Sequence, residues 1–154
     1  MKTNVLTKPS VVFVFLESYE RKSLFRALHD VSHLYPGFEG WLTFKFLRDL
    51  PKGRRKLLVA HNGDAVIGWS LLKQDAEESK ICTFYIAEEC RGLGIGQELM
   101  NKSVQALDSR ETFITVSDER LEELSPLLKS KGFTLSSSVP NMYRKGSTEH
   151  IWTL

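Results

Sequence analysis

Two cysteines in 154 residues, Cys82 and Cys90, are too few for the disulfide framework of a small secreted domain and point instead to free thiols in a reducing, cytoplasmic setting. Long hydrophobic runs are missing. The one leader-like run, Val11 to Leu16, is closed by Glu17 and is shorter than the apolar core of a signal peptide, and nothing approaches the length of a membrane span. Charge of one sign is scarce too: 21 Lys and Arg stand against 19 Asp and Glu, a net charge of +2, so no global field argues for nucleic acid or a membrane surface as partner. No internal repeat or low-complexity stretch is visible. What remains, with 42% hydrophobic and 26% charged residues, is an ordinary globular composition and a length that predicts one domain over 1-154.

The organising stretch is Arg91-Gly92-Leu93-Gly94-Ile95-Gly96, set between a strand-like run, Ile81 to Ala87, and a helix-like run, Gln97 to Leu107. Its glycines allow positive φ and expose bare N–H groups, and the following helix adds its unpaired first-turn donors and the positive end of its dipole. Such a turn is a socket for phosphate. It is not a P-loop, because Gly96 is followed by Gln97 and Glu98 rather than Lys and Ser or Thr. Nor is it a dinucleotide fingerprint, since position 97 lacks the third glycine and the loop follows a mid-chain strand.

Along the chain, Met1 to Ser10 reads as an irregular start. Val11 to Leu16 reads as a strand apolar on both faces and therefore covered on both sides. Leu24, Leu28, Val31 and Tyr35 fall at helical spacing up to Pro36-Gly37, and a second helix carries Trp41, Phe44 and Leu47 on one stripe until Leu50-Pro51. His29 and His33 are an i,i+4 pair without companion ligands, so they read as helix-surface histidines and no metal is expected. Lys52, Arg54, Arg55 and Lys56 form a basic cluster, either a solvated loop or an attraction for an acidic substrate. Asn62-Gly63-Asp64 between two apolar runs predicts a hairpin, with a bulge or close approach at Gly68. Thr112 to Val116 predicts a strand joined to the preceding one by a parallel crossover. Asp118 starts a helical turn to Leu124, Ser125-Pro126 reads as a fresh N-cap, and Gly132 ends the helix. A final strand pair, Phe133 to Val139 and His150 to Leu154, completes the sheet.

Arg91, Gly94 and Gly96 match Gln/Arg-x-x-Gly-x-Gly/Ala, and in this setting the loop resembles the acetyl-CoA loop of the GNAT family, the GCN5-related N-acetyltransferases. Thr83 to Cys90 looks like that family's fourth strand and its turn. The resemblance covers roughly residues 11 to 154 and implies a mixed, splayed sheet of about seven strands flanked by about four helices, an α/β fold of the α+β kind. It further implies acetyl-CoA as co-substrate, its pantetheine bonded by the backbone of Ile86 and Ala87 and its pyrophosphate by the N–H groups of Arg91, Gly92, Leu93, Gly94, Ile95 and Gly96. The activity implied is direct acetyl transfer to an amine-bearing acceptor, a small molecule or a protein. A homodimer is one assembly it allows. Residues 35 to 46 are expected to shape the acceptor pocket.

One part of the family pattern is missing. Aligned on Gly132-Phe133, Leu121, Leu124 and Leu128 occupy the places of an Asn-x-x-Ala-x-x-x-Tyr run whose Tyr donates a proton to the departing thiolate, and Ile81 to Ile86 offers no carboxylate base. Tyr143 is the candidate donor, preferred to Tyr85, which is expected to face the core. Two readings therefore stand: an N-acetyltransferase, or a non-catalytic acyl-CoA-binding domain that keeps the loop.

Overall fold

The computed structural model describes residues 10–107 and 111–154, so the expected irregular start lies almost wholly outside the described residues. The elements follow in the order β1 (Val12–Leu16), α1 (Arg21–Ala27), α2 (His29–Ser32), α3 (Phe38–Trp41), a π-helical turn (Leu42–Phe46), α4 (Leu47–Asp49), β2 (Arg55–His61), β3 (Val66–Gln74), β4 (Ser79–Ile86), α5 (Ile95–Leu107), β5 (Thr112–Ser117), α6 (Asp118–Ser130), β6 (Thr134–Pro140) and β7 (Thr148–Thr153). The strands form one seven-stranded sheet in the order β1-β2-β3-β4-β5-β7-β6. It is antiparallel except where β5 joins β4 in parallel after the α5 crossover, and β7 inserts between β5 and β6.

Alternation along the strands divides the core. Leu58 and Ala60 of β2 face a cluster with Leu99, Met100 and Leu107 of α5 and Leu124 and Leu128 of α6, while Leu57 and Val59 face Leu24, Leu28, Val31, Leu42 and Phe46 of the N-terminal helices. The Asn62-Gly63 turn forms as expected: Asn62 Oδ1 accepts from the N–H groups of Asp64 and Ala65 at 2.9 Å each, and Gly63 has φ 99°. Both expectations for Gly68 are met. The register of β2 on β3 shifts just beyond its partner Ala60, and a Cβ on Gly68 would lie 2.9 Å from Ile86 Cδ1.

Four expectations are corrected. β1 is an edge strand, with Val12 57% and Phe15 54% exposed, because it pairs only with β2, and only Phe13 and Leu16 turn toward the two core clusters. The helix expected from Glu20 to Tyr35 is broken at Leu28, whose φ −95°, ψ 21° interrupts the spiral, though Leu24, Leu28 and Val31 are all buried. The second helix buries Phe38, Leu42, Phe46 and Leu50, a spacing of four, and leaves Phe44 68% exposed. The π-helical turn widens the spiral and rotates the apolar stripe away from the Trp41, Phe44, Leu47 reading. Finally, Ser125 is no N-cap: α6 runs unbroken through Pro126. A proline inside a helix costs about 3 kcal/mol, and burial of Leu124 and Leu128 at roughly 1.5–3 kcal/mol each offsets it.

Candidate active site

β4 and β5 share register only from Ser79 opposite Thr112 to Ile81 opposite Ile114. Beyond that the strands part, and the carbonyls on the free edge of β4 need other donors. Two arginines supply them. Arg120 of α6 donates from Nη2 to the Phe84 carbonyl at 2.7 Å, and Arg91 donates from Nε to the Ile86 carbonyl at 3.0 Å. Glu123 joins the two, one carboxylate oxygen 2.7 Å from Arg91 Nη2 and the other 2.9 Å from Arg120 Nε. Both guanidinium groups lie over the Tyr85 ring, at 5.4 and 5.8 Å. Tyr85 is buried, as expected, donates its hydroxyl hydrogen to Asp30, and has its pKa pushed up to about 12, first by burial and then by that bond.

The loop from 91 to 96 closes one end of this gap. Gly92 and Gly94 take φ 80° and 82°, the left-handed region that glycine enters without strain, and space above both is open. Gly96 lies in the first turn of α5, where a Cβ would stand in ordinary contact, 3.7 Å from Ile86 Cγ1 and Leu127 Cδ2. Ile95 is buried and anchors the turn, whereas Leu93 is 41% exposed. Ala87 turns away from the gap: its N–H donates to the Ile67 carbonyl at 2.8 Å, and its carbonyl accepts from Cys90 N–H at 2.9 Å. The cleft so formed has a volume of about 450 Å³, with Arg91, Gly94, Gly96, Arg120 and Pro126 in its walls.

At the opposite end a second cavity of about 380 Å³ is walled by Tyr35, Phe38 and Trp41, by Arg55, Lys73 and Lys80, and by Tyr143. Six of the twelve residues from 35 to 46, the segment expected at the acceptor pocket, therefore line it. A narrow wedge between β4 and β5 lies between the two spaces: it shares Tyr35, Cys82, Thr83 and Thr115 with the cavity, and Phe84, Arg120 and Leu124 with the cleft. Ser117 Oγ, buried in the wedge wall beside Tyr35, makes no hydrogen bond of good geometry among the described residues. The residues fit an extended acyl-CoA: an amide socket at a helix start for pyrophosphate, a free strand edge for an amide chain, and a buried hydroxyl beside the point of passage.

Sequence reasoning placed Tyr35 in the segment expected at the acceptor pocket but missed Glu149 and the pairing of the two. The Tyr35 hydroxyl donates to Glu149 Oε1 at 2.7 Å, and Glu149 is 3% exposed on β7. Burial raises the Glu149 carboxyl above the usual carboxylate range, against the hydrogen bond from Tyr35, and burial together with Glu149 pushes the Tyr35 phenol far up. Tyr35 looked like one more position on a helical stripe, and Glu149 lay in a loop-to-strand stretch without a motif. Tyr143, the expected donor, lies on the cavity wall, 41% exposed, with its ring edge-on to Tyr35 at 5.7 Å. Its oxygen accepts from Lys80 Nζ at 3.1 Å, and among the described residues no group accepts its own proton. Leu124 and Leu128 are core residues of α6, so the tyrosine of the family pattern has no counterpart there.

The basic cluster comes apart. Lys52 pairs with Asp49 at 3.5 Å, Lys56 donates to the Ala106 carbonyl at 2.8 Å, and only Arg55 enters the cavity. His33 Nδ1 lies 3.0 Å from the His29 carbonyl, and among the described residues no group of three His, Cys, Asp or Glu could hold a metal. No described helix is long and apolar enough to cross a membrane.

Residues 37–150 match the family model of the acetyltransferase (GNAT) domain. The chain belongs to the GNAT family. Solved GNAT-type structures share its fold at low identity. A GNAT-family protein from Desulfovibrio desulfuricans superposes with TM-score 0.77 at 15% identity over 94% of this chain and 98% of its own. NAA60 of Arabidopsis thaliana, solved with a bisubstrate analogue, gives 0.70 at 15% identity over 93% and 97%. A Bacillus anthracis structure in complex with acetyl coenzyme A gives 0.62 at 15% identity over 71% and 68%. Comparison with curated proteins gave no match.

Proposed function

We propose that this GNAT protein transfers the acetyl group of acetyl-CoA directly to the amine of a small molecule or peptide, at the wedge between β4 and β5. The observation that supports the reading is the parting of those strands beyond Ile81 and Ile114, where a narrow wedge of about 10 Å³ shares wall residues with both the cleft at the glycine loop and the acceptor cavity, so that a thioester entering there widens it. Acetyl-CoA supplies an activated thioester carbonyl. The loop N–H groups from Arg91 to Gly96 and the N-terminus of α5 hold the pyrophosphate, and the free edge of β4 around Ile86 bonds the pantetheine. That edge is held by Arg91 and Arg120, so the guanidinium groups shift as the amide chain takes their place on the Ile86 and Phe84 carbonyls.

An ammonium acceptor must lose a proton before it attacks. Tyr35 lines both cavity and wedge, and its oxygen takes that proton as its own passes to Glu149, whose raised carboxyl pKa makes it the better acceptor. Tyr143, whose proton no described group accepts, returns a proton to the departing thiolate. Both cysteines are free thiols, which supports a reducing, cytoplasmic setting.

The loss of the α6 tyrosine favours a second reading, an acyl-CoA-binding domain without chemistry. The test is a melting curve with acetyl-CoA followed by an assay of free CoA thiol with amines added. A melting shift with no thiol release for any amine selects the second reading, and no shift at all overturns both.

A further inference from the structure

Three cations stand side by side across three strands. Arg55 of β2 lies opposite Lys73 of β3, and Lys73 lies opposite Lys80 of β4, all three lining the acceptor cavity. Like charges in directly opposed positions destabilise a sheet, so such a row needs a counter-charge. Among the described residues only its middle member has one: Lys73 Nζ is 2.6 Å from Glu78 and 3.5 Å from Asp75. Among the described residues neither Arg55 nor Lys80 has a carboxylate within ion-pair distance. Arg55 reaches only the Cys82 thiol, at 3.5 Å, and lies over the Trp41 ring at 5.6 Å. Lys80 reaches the Tyr143 oxygen and the rings of Phe113 and Tyr143 at 5.6 and 5.5 Å. All three charges, opposed by Glu78 on the same wall, act on the Cys82 thiol, so they converge there with two cations left over. The wedge, by contrast, is entered past Tyr35 and its buried acidic partner Glu149.

We infer that the acceptor is a small amine that also carries an anionic group, a carboxylate or phosphate, held by Arg55 and Lys80 while its amine points to Tyr35 at the wedge. The inference rests on the acetyltransferase reading and names its acceptor class. A guanidinium stacked on an aromatic ring is held in place and offers its fork to a planar or tetrahedral oxyanion. A cavity of about 380 Å³ suits a molecule of amino-acid to dipeptide size. In the step itself the neutral amine nitrogen bonds to the thioester carbonyl carbon, the carbon–sulfur bond breaks, and CoA leaves as the thiolate. The proton lost by the amine balances the one the thiolate gains.

The test uses matched pairs: the α-amino acids against their carboxamides, and phosphoethanolamine against ethanolamine, with saturating acetyl-CoA and release of CoA thiol as readout. The charged member is expected to exceed its neutral partner in kcat/KM by tenfold or more in at least one pair, and which pair does so tells carboxylate from phosphate. Arg55→Gln is expected to shrink that preference at least fivefold, chiefly through KM, with Arg55→Lys restoring part of it. Neutral amines used as well as charged ones, or a preference that survives Arg55→Gln and Lys80→Met, would overturn the inference and leave the acetyltransferase reading standing. Acetyl-CoA that shifts the melting curve with no panel amine acetylated would also overturn it. Acetyl-CoA that shifts nothing removes the reading beneath it as well.

Discussion

Tyr35 and Glu149, 114 positions apart in sequence, meet through a 2.7 Å hydrogen bond beside the gap between β4 and β5. The pair sets a phenol against a buried carboxyl where the chain has no motif for either. Tyr35→Phe keeps the ring and removes the proton path. Its kcat is expected to fall roughly a hundred- to ten-thousandfold, the range of a lost general-base contribution, with the limb of the pH–rate profile displaced and acetyl-CoA affinity within a few-fold of the parent. An unchanged profile would leave Tyr35 a packing residue.

Tyr143→Phe separates the donor from the acceptor of protons. With chemistry rate-limiting, kcat is expected to drop about ten- to a thousandfold without loss of acetyl-CoA binding. If kcat holds, water rather than Tyr143 protonates the thiolate.

The glycine loop is tested by Gly94→Asp, a residue that tolerates φ 82° better than most but carries a carboxylate into the phosphate socket. Acetyl-CoA at a hundred times its dissociation constant stabilises the parent by about 2.7 kcal/mol, several degrees of melting temperature at this chain length. The variant is expected to fold and show no such shift. A shift of parental size would remove the loop from the binding site.

Stability should depend on pH in two opposed ways. Burial raises the Glu149 pKa, so the folded state holds that proton more tightly than the unfolded chain. The contribution is complete below the unfolded value and is lost as pH rises through the folded one. The hydrogen bond with His150 lowers the Asp118 pKa, so its contribution is present above the unfolded value and is lost as pH falls through the folded one. Glu149→Gln is therefore expected to flatten the decline of melting temperature above the ordinary Glu range, and Asp118→Asn to flatten the decline on the acid side. Parallel curves for parent and variants from pH 3 to 8 would refute both assignments.

Much of the fold was legible because it rests on local rules. Apolar runs marked the inner strands, Asn62-Gly63 marked the hairpin, and Gly92 and Gly94 marked the turn before α5, since a positive φ depends on the residue that takes it. Where tertiary context overrode the local signal, the reading failed. Val11 to Leu16 is as apolar as a buried strand yet lies at the edge, and Pro126 stays within α6 because leucines on either side of it pack into the core. The basic cluster, continuous in sequence, is divided because residues 55 and 56 of a strand point to opposite faces. The sequence by itself determined the α/β order, the family and the glycine turn before α5. Only the tertiary structure decided how β4 and β5 part, that Arg55, Lys73 and Lys80 share one row, and that Tyr35 meets Glu149, because each depends on register between segments that no local pattern ties together.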